Sequence, residues 1–252
     1  MRGILPAARD SGIFLLRELS SPRAVFAFNS GLSNNMSFSH GDTSRSPANR
    51  EEFLKGLDID HRDLVCAKQV HGCGIRYATE ADKGKGALSR DTAFDGTDAL
   101  ITDRRGVPLA VFTADCLSVF LFDTLRPAIG VVHAGWRSTA KRIVAETVRA
   151  MQKHFNTDPA HLCAGFGPAI RGCCYEVGPE LAKVFPDDVS AREGRHYLDL
   201  AAANKRQLLE SGVSGSRILD PGYCTFCGSG RFFSYRKSGE SCGRIMSVAM
   251  LR

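Results

Sequence analysis

Residues 108–155 read PLAVFTADCLSVFLFDTLRPAIGVVHAGWRSTAKRIVAETVRAMQKHF, and this stretch decides the fold class. Pro108 to Thr113, Leu117 to Asp123 and Ala128 to His133 are short apolar runs rich in Val, Ile and Phe. They have the length of strands and too little alternation to leave one face in water. Asp98 to Thr102, just upstream, is a fourth run of the same kind. Then the period changes. Ala140, Ile143, Val144, Thr147, Val148, Met151 and Phe155 recur at helical spacing, so an amphipathic helix follows the strands. Ser138 or Thr139 stands where it can cap the start of that helix, and Asn156 where a C-terminal cap is expected.

On the C-terminal side, His161 to Phe166 reads as another buried strand. Pro179 to Val184 and Leu200 to Ser211 read as helices, and Arg231 to Tyr235 and Arg244 to Leu251 as closing strands. On the N-terminal side, Gly31 to Arg50 and Glu80 to Gly96 are polar and read as loops. Strand-like segments resume on both sides of each, so neither is a domain linker. There is no clean βαβ alternation that would require a wholly parallel sheet. The expected architecture is α+β: a single domain, residues 1–252, of mixed β-sheets covered by helices.

A chain of 252 residues with 43% hydrophobic and 24% charged residues can bury a substantial core, which excludes disorder and fibres. The net charge of +6 suits an anionic substrate or a nucleic acid, and equally an ordinary solvated surface. Lys and Arg are scattered, however, and no aromatic-basic repeat marks a nucleic-acid module, so no nucleic-acid partner is expected. The N-terminal stretch MRGILPAARDSGIFLLREL has only the short apolar run Ile13 to Leu16, broken by Arg17, and reads as no secretory signal. Nothing approaches the ~20 apolar residues of a membrane span. Nine cysteines at irregular spacing in a chain this long point to reduced thiols and a cytoplasmic location, with the cysteines buried, metal-bound or catalytic.

Three segments put a metal-capable residue at a strand end beside small residues: Lys68-Gln-Val-His71-Gly72, Thr113-Ala-Asp115-Cys116-Leu117 and His133-Ala-Gly135-Trp136-Arg137. His and Cys are preferred ligands of zinc, and three protein ligands with one open position make a catalytic site. Zinc held in that way draws the pKa of water toward ~7. A cysteine in a strand can equally be packing, and a histidine at a strand end an ordinary hydrogen-bonding residue. Spacing alone leaves both readings open.

Four motifs taken in order, KQVHG from Lys68, TADCL from Thr113, HAGWR from His133 and GPAIRGCCYEVG from Gly167, add a further reading. With DALIT at Asp98 to Thr102 and FFSYR at Phe232 to Arg236, they resemble the multicopper polyphenol oxidase or laccase domain family. Its members are also described as peptidoglycan editing factors and purine nucleoside phosphorylases. The resemblance runs from about Val65 to the C-terminus. It implies an α+β fold and one zinc held by His71, Cys116 and His133, which would also carry catalysis. It implies phosphorolysis of adenosine, inosine and S-methyl-5′-thioadenosine and deamination of adenosine, with a small-molecule nucleoside and phosphate as partners of a monomer or homodimer. Phosphorolysis has to hold a phosphate dianion near the ribose, and Arg137 and Arg236 are the candidates. The chain departs from the family near its N-terminus, where a Phe-Ser-Thr-Arg stretch is replaced by Phe26-Ala-Phe-Asn29 and the arginine is missing. Ser138 stands for a glycine, and Arg171-Gly172 for Gly-Pro.

Two other chemistries fit the same residues. Cys116 could be the nucleophile of an amidohydrolase editing a peptidoglycan precursor, with His71 or His133 as base. A copper polyphenol oxidase would need several coppers, and seven histidines without a His-x-His pair are few for that. Cys224-x-x-Cys227 has no second Cys-x-x-Cys, so it is expected to hold no second metal and to consist of buried free thiols.

Overall fold

The computed structural model describes residues 12–16, 19–32, 34–228 and 230–252. Most of the N-terminal stretch read for a secretory signal therefore lies outside the described residues. The four central runs form the strands Ala99–Thr102, Leu109–Thr113, Leu117–Asp123 and Ala128–Ala134. They belong to two sheets. One is six-stranded, in the order Ile218–Leu219, Leu162–Phe166, Leu117–Asp123, Ala128–Ala134, Ala99–Thr102, Ile75–Tyr77. Its inner pairs are antiparallel and its two outermost pairs parallel. The other is five-stranded, in the order Ile13–Leu15, Ala24–Asn29, Ile245–Leu251, Leu109–Thr113, Val65–Cys66.

Side-chain alternation explains why the central strands are apolar along their whole length. In Leu117–Asp123, Phe120 and Phe122 pack on Phe26 and Val111 of the five-stranded sheet. Leu117, Val119 and Leu121 face the opposite way, toward Val144, Val148 and Leu208. Those residues belong to the helices Ile143–Phe155 and Leu200–Glu210. The outer face of the five-stranded sheet, through Val25, Ala110 and Val248, is covered by Phe53 and Leu54 of the helix Ser46–Lys55. The layers run helix, sheet, sheet, helix, a mixed α/β fold of sheets covered by helices. A small third sheet, Glu176–Val177, Arg195–Leu198 and Val189–Arg192, sits beside them.

Four elements differ from the sequence reading. The helix expected from Ala140 is broken into Trp136–Ala140 and Ile143–Phe155, because Arg142 between them takes a left-handed conformation at φ +62°. Ser138 and Thr139 are buried in the first piece and do not cap the second. Asn156 does end it in the left-handed conformation. Arg231 to Tyr235 is not a strand. Phe232 and Phe233 are buried as anchors of a loop, and Tyr235 opens the short helix Tyr235–Ser238. The polar stretch Gly31 to Arg50 contains the start of the helix Ser46–Lys55, whose inward face includes a buried Arg50. The Arg50 guanidinium donates to the carbonyls of Met36, Gly86 and Ala87, so a charged residue does the work that apolar periodicity would have signalled. The sheet Glu176–Val177, Val189–Arg192, Arg195–Leu198 is half-exposed and lacks the apolar runs by which strands are read.

Candidate metal centre

The antiparallel pairing of Leu117–Asp123 with Ala128–Ala134 sets Leu117 opposite Ala134 and Ser118 opposite His133. Cys116, one residue before the first strand, therefore emerges beside His133 at the end of the second. His71 comes from a separate loop in a left-handed conformation, φ +57°. One buried carboxylate fixes that loop. Asp98 accepts the backbone N–H groups of Val70, His71 and Gly72 at 3.2, 3.0 and 2.8 Å. The same Oδ1 that takes the His71 N–H lies 2.8 Å from Nδ1 of His133.

The outcome is convergence. Cys116 Sγ is 3.8 Å from Nε2 of His71. The two imidazole centroids are 4.7 Å apart at 74°. One ligand atom from each of His71, Cys116 and His133 lies within 4.8 Å of the others. Gly135 makes room: a Cβ there would come within 2.9 Å of both Cys116 Sγ and His71 Cδ2. The donor set, two imidazoles and a thiol with a carboxylate behind one imidazole, fits a borderline-soft divalent metal. Without a metal the buried pair is polarised. Burial pushes the Cys116 thiol up, but His133 and His71 outweigh it and bring it down to about 6. Burial pushes His133 down, but the Cys116 thiolate and Asp98 outweigh it and raise it to about 9.

The three residues lie in the wall of a cavity of about 530 Å³. Asp115, next to Cys116 and at φ +85°, is anchored by Thr225 Oγ1 and the Arg236 N–H, each 2.6 Å from its carboxylate. Phe112 and Tyr175 line the cavity, and Arg137 and Arg236 both reach it. The Arg236 guanidinium lies over the Tyr175 ring and donates to the Glu176 carbonyl at 2.8 Å, whereas Arg137 stacks on Trp136. His40, Arg50, Arg90 and Arg244 line the cavity as well. Sequence reading passes over these four, which sit in loops or behind polar stretches. It also gives no role to Asp98, although a carboxylate opening an apolar strand was a visible signal. Asn29, where the resemblance leads one to expect an arginine, is buried in its strand and bonds to Asn34 and Met246 of its own chain.

Residues 23–252 match the family described as multi-copper polyphenol oxidoreductase laccase. The chain belongs to this family. It is 36% identical over 208 residues to purine nucleoside phosphorylase YlmD of Geobacillus stearothermophilus, covering 79% of this chain and 76% of that protein. It is 34% identical over 201 residues to adenosine deaminase RL5 from an unknown prokaryotic organism, covering 76% of each. The fold matches the crystal structure of Bacillus licheniformis hypothetical protein YfiH with a TM-score of 0.92, at 29% identity and 99% of both chains. For the crystal structure of the Geobacillus stearothermophilus YlmD the TM-score is 0.86, at 31% identity, covering 100% of this chain and 97% of that one.

Among the described residues a second group of metal-capable side chains stands apart from the first: Cys173, Cys174, Cys224 and Cys227. The expectation that Cys224-x-x-Cys227 lacks a partner pair is corrected here, because the fold brings the adjacent pair Cys173-Cys174 to it. Nor are all of these thiols buried, since Cys173 and Cys227 are exposed.

Proposed function

We propose that the chain is a zinc-dependent purine nucleoside phosphorylase acting on adenosine, inosine and S-methyl-5′-thioadenosine, with adenosine deaminase activity. The observation that carries this reading is the convergence of His71, Cys116 and His133 in the wall of an aromatic- and arginine-lined cavity. The names of the relatives point the same way. His71, Cys116 and His133 would hold the metal. Once bound, zinc acts as a Lewis acid and lowers the pKa of water.

The other residues have separable tasks. Asp98 holds Nδ1 of His133, which directs Nε2 toward the metal position. The Phe112 and Tyr175 rings suit the faces of a purine. Arg137 and Arg236 supply positive charge for phosphate. In phosphorolysis a phosphate oxygen bonds to C1′ as the bond from C1′ to the base breaks, and the base leaves with the electron pair and takes up a proton. In deamination water adds at the amino-bearing carbon and ammonia leaves. The partners are small molecules, with neither nucleic acid nor membrane, and no helix among the described residues is long and apolar enough to cross a membrane. A cytoplasmic monomer or homodimer fits these assignments.

A second reading rests on the same geometry: Cys116 Sγ stands 3.8 Å from Nε2 of His71, a thiol beside an imidazole base, as an amidohydrolase acting on a peptidoglycan precursor would need. Metal analysis combined with chromatography of adenosine incubated with and without phosphate separates the two. Stoichiometric zinc and phosphate-dependent release of adenine support the first reading. A metal-free protein that leaves nucleosides intact and is inactivated by alkylation of Cys116 supports the second.

A further inference from the structure

We propose that Cys173, Cys174, Cys224 and Cys227 bind a second zinc ion, with a structural role. The four sulfurs lie within 4.8 Å of one another. Cys173 and Cys227 are 3.7 Å apart between sulfurs. Four thiolates at the zinc–sulfur distance of about 2.3 Å in a tetrahedron stand about 3.8 Å from each other, so this edge has the size that the metal requires. The set is closed and all-sulfur, the composition of a structural rather than a catalytic site.

One feature outside the sulfurs fits the same ligand. The turn behind Cys227 is closed by the N–H of Gly228 donating to the Cys224 carbonyl at 3.0 Å. A Cβ at Gly228 would lie 2.4 Å from that carbonyl oxygen, so only glycine permits a Cys224–Gly228 turn this tight.

The ion would tie together two segments already linked by backbone bonds and by the Arg171–Asp220 ion pair. Ala169 and Cys224 form an isolated parallel bridge, and Thr225 donates its N–H to the Ala169 carbonyl at 3.0 Å. The first segment carries Ile170, whose N–H donates to the Asp115 carbonyl at 2.9 Å, and Tyr175, which lines the cavity. The second carries Thr225, bonded to the Asp115 carboxylate. A zinc across the four cysteines would hold both walls against the residue that precedes Cys116.

The test uses the full chain purified under reducing, anaerobic conditions. In a Cys116→Ala background, elemental analysis should find close to one zinc per chain, and adding Cys173→Ser and Cys227→Ser should remove it. Cobalt exchanged into the Cys116→Ala protein should give the intense visible bands and sulfur-to-cobalt charge transfer of a tetrahedral four-thiolate site. That spectrum decides the matter even if the triple variant fails to fold. Folded Cys116→Ala protein carrying no zinc, carrying iron, or showing by mass the loss of hydrogens expected for a disulfide among these cysteines would overturn the proposal. Wild-type protein with a single zinc that survives Cys116→Ala but not the serine pair would uphold this site while removing the metal from His71, Cys116 and His133.

Discussion

Asp98 Oδ1 receives the backbone N–H of His71 at 3.0 Å and faces Nδ1 of His133 at 2.8 Å, so a single oxygen ties the backbone at His71 to the imidazole of His133. His71 is exposed and His133 is buried, and they arrive on unrelated segments. Their meeting depends on this carboxylate.

Asp98→Asn is therefore expected to weaken metal binding about 10- to 100-fold, the usual effect of losing a carboxylate behind a ligating histidine. The amide turns one acceptor into a donor against a ring of N–H groups. Competition for zinc against a chromophoric chelator measures the change, and an unaltered affinity would remove Asp98 from the account.

Cys116→Ala is expected to abolish phosphorolysis and deamination together while the chain stays folded. The packing loss is about 1–2 kcal/mol, within the margin of a domain this size. A folded variant that keeps turning over adenosine would refute the ligand role. An inactive variant that still holds metal at His71 and His133 would favour the nucleophile role.

Metal uptake should release protons in a number that depends on pH. In the metal-free protein Cys116 ionises at about 6 and His133 loses its proton at about 9. Between these values the pair carries one proton, on His133. Zinc needs a thiolate and a neutral imidazole, so the Cys116–His133 pair should contribute about one proton near pH 7.5, approaching two well below pH 6 and none well above pH 9. For folding of the metal-free chain the signs follow from the same shifts. The His133 contribution is fully present below its unfolded pKa and fades as pH rises through about 9, and the Cys116 contribution fades as pH falls through about 6. Calorimetric titration in two buffers of different ionisation enthalpy counts the protons.

Gly135→Ala should lower metal affinity far more than thermal stability. Its Cβ would meet Cys116 Sγ and His71 Cδ2 at 2.9 Å, and both side chains can swing away, which spares the backbone but disperses the ligands. Equal losses of affinity and of melting temperature would show that the glycine serves the fold and not the site.

Arg137→Ala should raise KM for phosphate at least tenfold with a smaller change in KM for the nucleoside. Among the described residues no acceptor fixes the Arg137 side chain, which lies over the Trp136 ring, so it is available to a dianion. An unchanged phosphate KM would leave Arg236 as the arginine to test.

The central strands can be read from the chain because they obey a strong local rule: Phe120 and Val119 are both buried, so the run is apolar throughout. His71, Cys116 and His133 are ligand types, but the resemblance of KQVHG, TADCL and HAGWR to a known family singles them out where spacing alone does not. What escapes reading depends on partners distant in sequence. Arg50 looks like a surface charge until the carbonyls of Met36, Gly86 and Ala87 surround it. Phe232 and Phe233 are buried as strand residues would be, yet their backbone turns to give the Arg236 N–H to Asp115. The Cys224-x-x-Cys227 pair looks incomplete because its complement, Cys173-Cys174, is an adjacent pair from a turn about fifty residues earlier, a spacing outside the usual two-plus-two pattern.

The hairpin that aligns Ser118 with His133 behaves as a ruler with one free end. Its registered end carries the site, and its far end turns through residues 124–127, where Leu125 is 63% exposed. Adding residues at that turn leaves every cross-strand pair unchanged, whereas deleting one residue within Leu117–Asp123 shifts the side chains beyond it to the opposite face. The turn is thus a place to graft an epitope, a fluorophore or a tether about seven residue pairs away from the chemistry, and a natural position at which homologous chains can differ in length without losing activity.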